Sequence, residues 1–168
     1  LADYIANEQA ILPFFEYRLE NNVFEKRAKY LKTKEYKYGE LASVIRKYMQ
    51  PFGISEAVEK NLLSLADGAF AIVGGQQAGI LTGPLYSVHK AITTVLLANE
   101  QQRKLNIPIV PLFWIAGEDH DIEEINHTYT IVEQQLRKRV YSKRSNKKLT
   151  ATETIYDKQE MTRTIRQI

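Results

Sequence analysis

Ala69-Phe70-Ala71-Ile72-Val73, opening into Gly74-Gly75-Gln76-Gln77-Ala78-Gly79 and then Thr82-Gly83-Pro84, is the stretch whose reading decides the fold. An unbroken apolar run of this length fits a strand buried on both faces and central in its sheet. Pro84 suits the first position of a helix. Leu85, Val88, Ile92, Val95 and Leu96 follow at helical spacing and predict a helix reaching about Leu105. Asn106-Ile107-Pro108 breaks it, and a second apolar run, Ile109 to Ala116, opens into Gly117-Glu118-Asp119-His120-Asp121. Two strands joined by one helix are the first crossover of a parallel sheet, and ligands bind where such strands end. The fold class is therefore α/β, and function is expected in the two loops.

Upstream, the opening third is helical. Pro13 interrupts an apolar segment around Tyr4, Ile5, Leu12 and Phe14, while Val23 to Leu31, Leu41 to Met49 and Ser55 to Leu65 read as three short helices, Ser55 capping the last. Their many aromatic residues suit helix packing and are assigned no chemistry. Downstream, 121–127 is helix-like, Tyr129 to Tyr141 is extended, and Ser145 to Thr154 is a polar linker before a possible final helix. The expected organisation is a helical segment over 1–66, the first part of the sheet core over 67–145, and a linker with the start of an insertion over 146–168.

Composition excludes several classes of function. With 168 residues and 44% hydrophobic content the chain can bury a core, and it has no cysteine, so disulfides, thiolate metal ligands and a cysteine nucleophile are absent from it. No apolar stretch is long enough to span a bilayer and the start lacks a signal-peptide layout, so a cytoplasmic protein is expected. The net charge of +3 is too small to argue for nucleic acid. Arg137, Lys138, Arg139, Lys143, Arg144, Lys147 and Lys148 do cluster, however, which suits a solvated hairpin or, as an alternative function, an RNA- or anion-binding module over 137–148. The first residue is not Met and the last segment ends abruptly, as expected of a chain cut from something longer.

The two loops carry the candidate chemistry. Gly74, Gly75, Gln76, Thr82 and Gly83 precede a helix start, where backbone N–H groups and the helix dipole suit a phosphate or carboxylate; tight-turn glycines also serve without any ligand. The spacing is neither the dinucleotide pattern nor a P-loop. Gln77 offers a neutral amide as a hydrogen-bonding hand, Tyr86 lies near the start of the following helix, and His89 beside it reads more simply as a packed or solvated histidine. Glu118, Asp119, His120 and Asp121 crowd carboxylates and an imidazole at the end of a buried strand. Acids there can hold a substrate ammonium while His120 acts on a proton, with Trp114 walling the pocket. His127, seven residues beyond His120 and so on roughly the same helical face, with Glu123 or Glu124 nearby, leaves metal-assisted hydrolysis as another alternative, although no familiar metal spacing is present.

Taken together, residues 74–86 and Phe113-Trp114-Ile115-Ala116-Gly117-Glu118-Asp119-His120-Asp121, followed by Glu124-Ile125-Asn126-His127, resemble the bacillithiol biosynthesis cysteine-adding enzymes. The resemblance is close over most of 68–145 and looser over the helical opening. It implies addition of L-cysteine to the amine of glucosaminyl-malate. The implied fold is a Rossmann-like core similar to class I aminoacyl-tRNA synthetases, with connective insertions and, in the full-length protein, a coiled coil supporting a homodimer. It also implies that the turns at 74–84 and 118–121 face the substrates. Catalytic roles are expected of His120 and Asp119, and substrate binding of Gln77, Tyr86, Trp114, Glu118, Asp121 and Asn126. The synthetase signature of two histidines flanking a small residue and a glycine is absent, and Thr82-Gly83-Pro84 stands roughly in its place. ATP is the expected cofactor because a bare carboxylate is a poor electrophile; no metal held by protein ligands is expected. Without the rest of the core the sheet would be unfinished, and this chain alone should catalyse nothing.

Overall fold

The computed structural model describes residues 1–142 and 149–167. The helices are α1 (Ala2–Ile5), α2 (Val23–Leu31), α3 (Tyr38–Met49) and α4 (Glu56–Ala66), then strand β1 (Phe70–Gln77), helix α5 (Leu85–Leu105) and strand β2 (Ile109–Ala116). After these come a single helical turn α6 (Ile122–Ile125), strands β3 (His127–Val132) and β4 (Gln135–Val140), and helix α7 (Lys158–Arg166). The Phe70 N–H donates to the Pro108 carbonyl at 3.1 Å, and further along β1 Gly75 lies against Trp114. Position advances in the same direction on both strands, so β1 and β2 run parallel with α5 as their crossover. β3 and β4 form a separate antiparallel hairpin.

The chain divides into two compact units, Leu1–Ala71 with Ala98–Val110, and Ile72–Leu97 with Pro111–Ile168. In the first, α3 packs on α4 around Ala42, Leu65, Ala69 and Val110, flanked by Tyr38 and Ile45. Ser55 caps α4 by accepting from the Val58 N–H, as its sequence position predicts. Arg46 clasps Glu59 through two hydrogen bonds of 2.6 and 3.3 Å. With both side chains over a third exposed, that pair is screened by solvent and contributes little, so apolar burial is the stronger tie.

In the second unit the β3–β4 hairpin pairs His127 with Val140 through Val132 with Gln135 and turns on Glu133 and Gln134, whose φ of 51° and 62° are the positive values a two-residue hairpin loop needs. Asn126 and Tyr141 close its open end: the Tyr141 N–H donates to the Asn126 carbonyl at 2.8 Å. The 3% exposed Tyr141 meets the Tyr156 ring edge-on and its hydroxyl accepts from the Asp157 N–H, anchoring the start of α7.

Three local expectations are corrected. β1 continues four residues beyond Val73, so Gly74, Gly75, Gln76 and Gln77 are strand rather than loop. β1 also alternates between half-buried and exposed positions instead of being covered on both faces, and Val73 is 64% exposed, because the described residues supply only one neighbouring strand. Finally, the helix expected over 121–127 is one turn long and ends at Ile125, where pairing with β4 captures the backbone from His127 onward. His120 and His127 therefore do not share a helical face. Of the basic cluster, Arg137, Lys138 and Arg139 lie on β4, while Lys143, Arg144, Lys147 and Lys148 lie outside the described residues.

Candidate functional site

Gln77 is the last residue of β1, and its side chain crosses to the turn after β2. Its Nε2 donates to Glu124 Oε2 at 3.2 Å. The two loops singled out from sequence thus open beside one another within one compact unit. Behind Gln77, Gln76 Nε2 donates to Gln77 Oε1 (2.6 Å) and to the Tyr86 hydroxyl (3.1 Å), while Lys90 Nζ donates to Gln76 Oε1 (2.8 Å). A continuous polar chain therefore runs from a lysine on α5 through two amides to the acidic turn.

The acidic turn is shaped by its own side chains. Asp119 Oδ1 accepts from the Asp121 N–H at 3.0 Å, and Asp121 in turn caps α6 by accepting from the Glu124 N–H at 3.4 Å. Glu118 accepts from the indole of the exposed Trp114. From the distal segment the Thr152 N–H and hydroxyl both donate to the Gly117 carbonyl at 2.9 Å, and the Ala151 N–H donates to the Asp119 carbonyl. A Cβ on Gly117 would collide with the Thr152 hydroxyl, so that glycine is needed for the strap to close. The His120 ring is exposed and makes no hydrogen bond among the described residues. Asn126 does not line this site: it is 8% exposed and its amide donates to the Tyr141 carbonyl at 3.4 Å, closing the hairpin. His127 Nδ1 lies 2.9 Å from the Glu123 carbonyl. Among the described residues no group of three potential ligands is placed to hold a metal ion.

The Asp121 N–H, then the Gln77 side chain, hold the Asp119 carboxyl below the usual aspartate range, and His120 acts in the same direction. A carboxyl with a lowered folded-state pKa stabilises the turn above its unfolded pKa, and that contribution is lost as pH falls through the folded value. Asp119 should accordingly titrate, by carbon-detected NMR, below an aspartate in an unstructured peptide. A midpoint at or above the peptide value would contradict the hydrogen bonding described.

The glycines divide by role. A Cβ on Gly74 would strike the Thr94 hydroxyl of α5, and one on Gly75 would sit 3.3 Å from the Trp114 carbonyl oxygen. These two let helix and strand close on β1, so their positions argue for packing rather than for cradling an anion. Gly83 does belong to a turn: its φ of 70° with ψ of −157° is glycine territory, and it follows Leu81 and Thr82, both at positive φ. The Thr82 hydroxyl makes no hydrogen bond among the described residues. Beneath this strained turn, Ser87 in the first turn of α5 is 7% exposed, and its hydroxyl, which faces Gly83, has no partner among the described residues. An orphaned buried hydroxyl beside a helix N-terminus is a ready donor to an anion. Sequence reading missed Ser87 and Lys90 as site residues and weighed Glu124 only in the metal alternative. The spacing of Tyr86, Ser87 and Lys90 on one helix was the available signal.

Comparison with known proteins now bears on this geometry. The family described as bacillithiol biosynthesis BshC, N-terminal Rossmann-like domain, matches residues 1–168. Proteins carrying the name "Putative cysteine ligase BshC" are similar to the chain. That of Lysinibacillus sphaericus is 53% identical over 98% of this chain, and those of Geobacillus kaustophilus and Bacillus cereus strain Q1 are 43% and 38% identical over 94% and 92%. The chain spans 31%, 29% and 29% of their respective lengths.

Proposed function

The chain belongs to the family of bacillithiol biosynthesis BshC N-terminal Rossmann-like domains, and from that premise we propose that it carries the substrate-facing rim of a cytoplasmic ligase joining L-cysteine to the amine of glucosaminyl-malate. The observation that carries this reading is the reach of Gln77 from the first strand end to Glu124 after the second. Such convergence at the carboxyl ends of parallel strands is where α/β folds bind ligands. No helix among the described residues is long and apolar enough to cross a membrane, which is compatible with small-molecule substrates taken from solution. A homodimer is proposed for the full-length protein from the family resemblance alone.

Amide formation needs the amine held, freed of a proton and brought to an activated carboxyl group. Asp119 and Glu124, with Glu118 and Asp121 on the same turn, supply negative charge to receive an ammonium; Trp114 is bonded to Glu118, and Tyr86 stands behind with its hydroxyl on Gln76. His120, free of hydrogen bonds among the described residues, is the group assigned to accept the proton that the amine loses. ATP would supply activation of the carboxylate. The residues here that suit its phosphates, or a substrate carboxylate, are Ser87 and the first turn of α5, with Thr82 and Gly83 above them and Gln76 alongside. Ser87→Ala should then raise stability by about 1 kcal/mol, because an unsatisfied buried hydroxyl is removed, while weakening retention of inorganic phosphate. Reduced stability in chemical denaturation with unchanged phosphate affinity would contradict that role. The site as a whole is tested by cysteine addition in a protein of its relatives' full length bearing His120→Ala or Gln77→Ala. Turnover unchanged by both would remove the assignment.

A further inference from the structure

Lys90 stands on the second turn of α5 with its side chain exposed, its ammonium bonded to Gln76 and 5.2 Å from the centre of the Tyr86 ring. Exposed contacts of this kind are screened by solvent and stabilise little, so Lys90 does not matter chiefly as a stabiliser. Its effect is directional. An ammonium can only donate, so Gln76 must turn its oxygen to Lys90 and its nitrogen away, toward Gln77 Oε1 and the Tyr86 hydroxyl. With its oxygen so engaged, Gln77 presents its nitrogen to the acidic turn. An ionised carboxylate can only accept, so Glu124 requires the same polarity from the other end. A cation at one end, an anion at the other and two amides between admit a single direction of hydrogen bonding, although either amide alone could be reversed.

We propose that Lys90 is a positioning residue whose charge fixes the orientation of Gln76 and Gln77 and, through them, the Glu124 carboxylate of the acidic turn. The proposal rests on the reading of that turn as the receiver of a substrate ammonium. Without the ammonium the Gln76 oxygen loses its charged donor, and the polarity of the two amides is held from the Glu124 end alone, so the Gln77–Glu124 contact is less firmly ordered.

The test compares the side-chain amide signals of Gln76 and Gln77, and the carboxyl signal of Glu124, in NMR spectra of the 168-residue chain as it is and bearing Lys90→Met or Lys90→Arg. Both replacements are good helix formers at an exposed position, so the fold should be retained. Lys90→Met is expected to shift both amide pairs and the Glu124 carboxyl, and Lys90→Arg to return the Gln77 and Glu124 signals to their original positions. Gln77 and Glu124 signals in Lys90→Met that coincide with those of the unmodified chain would overturn the proposal. No turnover is read, so failure of the ligase reading in the activity assay is distinguishable from failure here.

Discussion

Alanine at Gly74 is expected to destabilise the chain by about 1–3 kcal/mol, the usual range for forcing an extra methyl group into a packed interior. The new Cβ would meet the Thr94 hydroxyl and come within 3.3 Å of Phe113 Cδ2. Neither can retreat easily. Thr94 is 6% exposed and its hydroxyl is tied to the Lys90 carbonyl at 2.8 Å, while Phe113 is held on β2. Urea denaturation should show the midpoint falling without a change in slope. Removing the obstructing hydroxyl with Thr94→Ala should recover much of the loss, because two residues in contact do not behave additively. Strictly additive effects of the two substitutions would mean that Gly74 is not there for helix–strand closure.

The largest effect on activity is expected at Gln77. In a protein of its relatives' full length, Gln77→Ala should lower kcat/KM for cysteine addition about a hundredfold, the scale on which loss of precise placement near the reacting groups is felt. Gln77→Glu should be worse than alanine, since it keeps the reach of the side chain but sets a third negative charge against Asp119 and Glu124. Steady-state kinetics of the two variants check both statements. Glutamate matching glutamine would show that the amide nitrogen has no part in presenting the carboxylates.

Much of the frame was legible because its signals are local. Asn106-Ile107-Pro108 stops a helix and starts a strand whatever surrounds it, and β2 spans Ile109–Ala116 as read. Val23–Leu31 is likewise marked by its own periodicity. β1 was cut short because Gly-Gly has two meanings, freedom to turn and absence of a side chain. Only Thr94, twenty residues away in sequence, selects the second. The helix read at 121–127 gave way after one turn for a similar reason: Asn126 is claimed by Tyr141, a long-range pairing that outweighs local preference.

Within the candidate site, sequence identified Gln77 and the acidic turn as facing groups but not the carboxylates that Gln77 meets. Glu124 is reached because the turn after β2 folds back through the Asp119–Asp121 hydrogen bond, a detail of backbone path. Lys90 looks in sequence like any solvated lysine on a long helix. Its significance appears only when β1 sets Gln76 beneath it. Ser87 is similarly silent until the Gly83 turn covers it and leaves its hydroxyl without a partner among the described residues.

The proximity of Gln77 and Glu124, on which the joined site depends, is measured most directly by the nuclear Overhauser effect between the Gln77 side-chain amide protons and the Glu124 γ-methylene. Contacts across the β3–β4 hairpin, such as Thr128 with Arg139, serve as the internal standard. A Gln77–Glu124 cross-peak of comparable strength is predicted. Its absence in spectra where the hairpin contacts are clear would mean that the two turns do not form one rim.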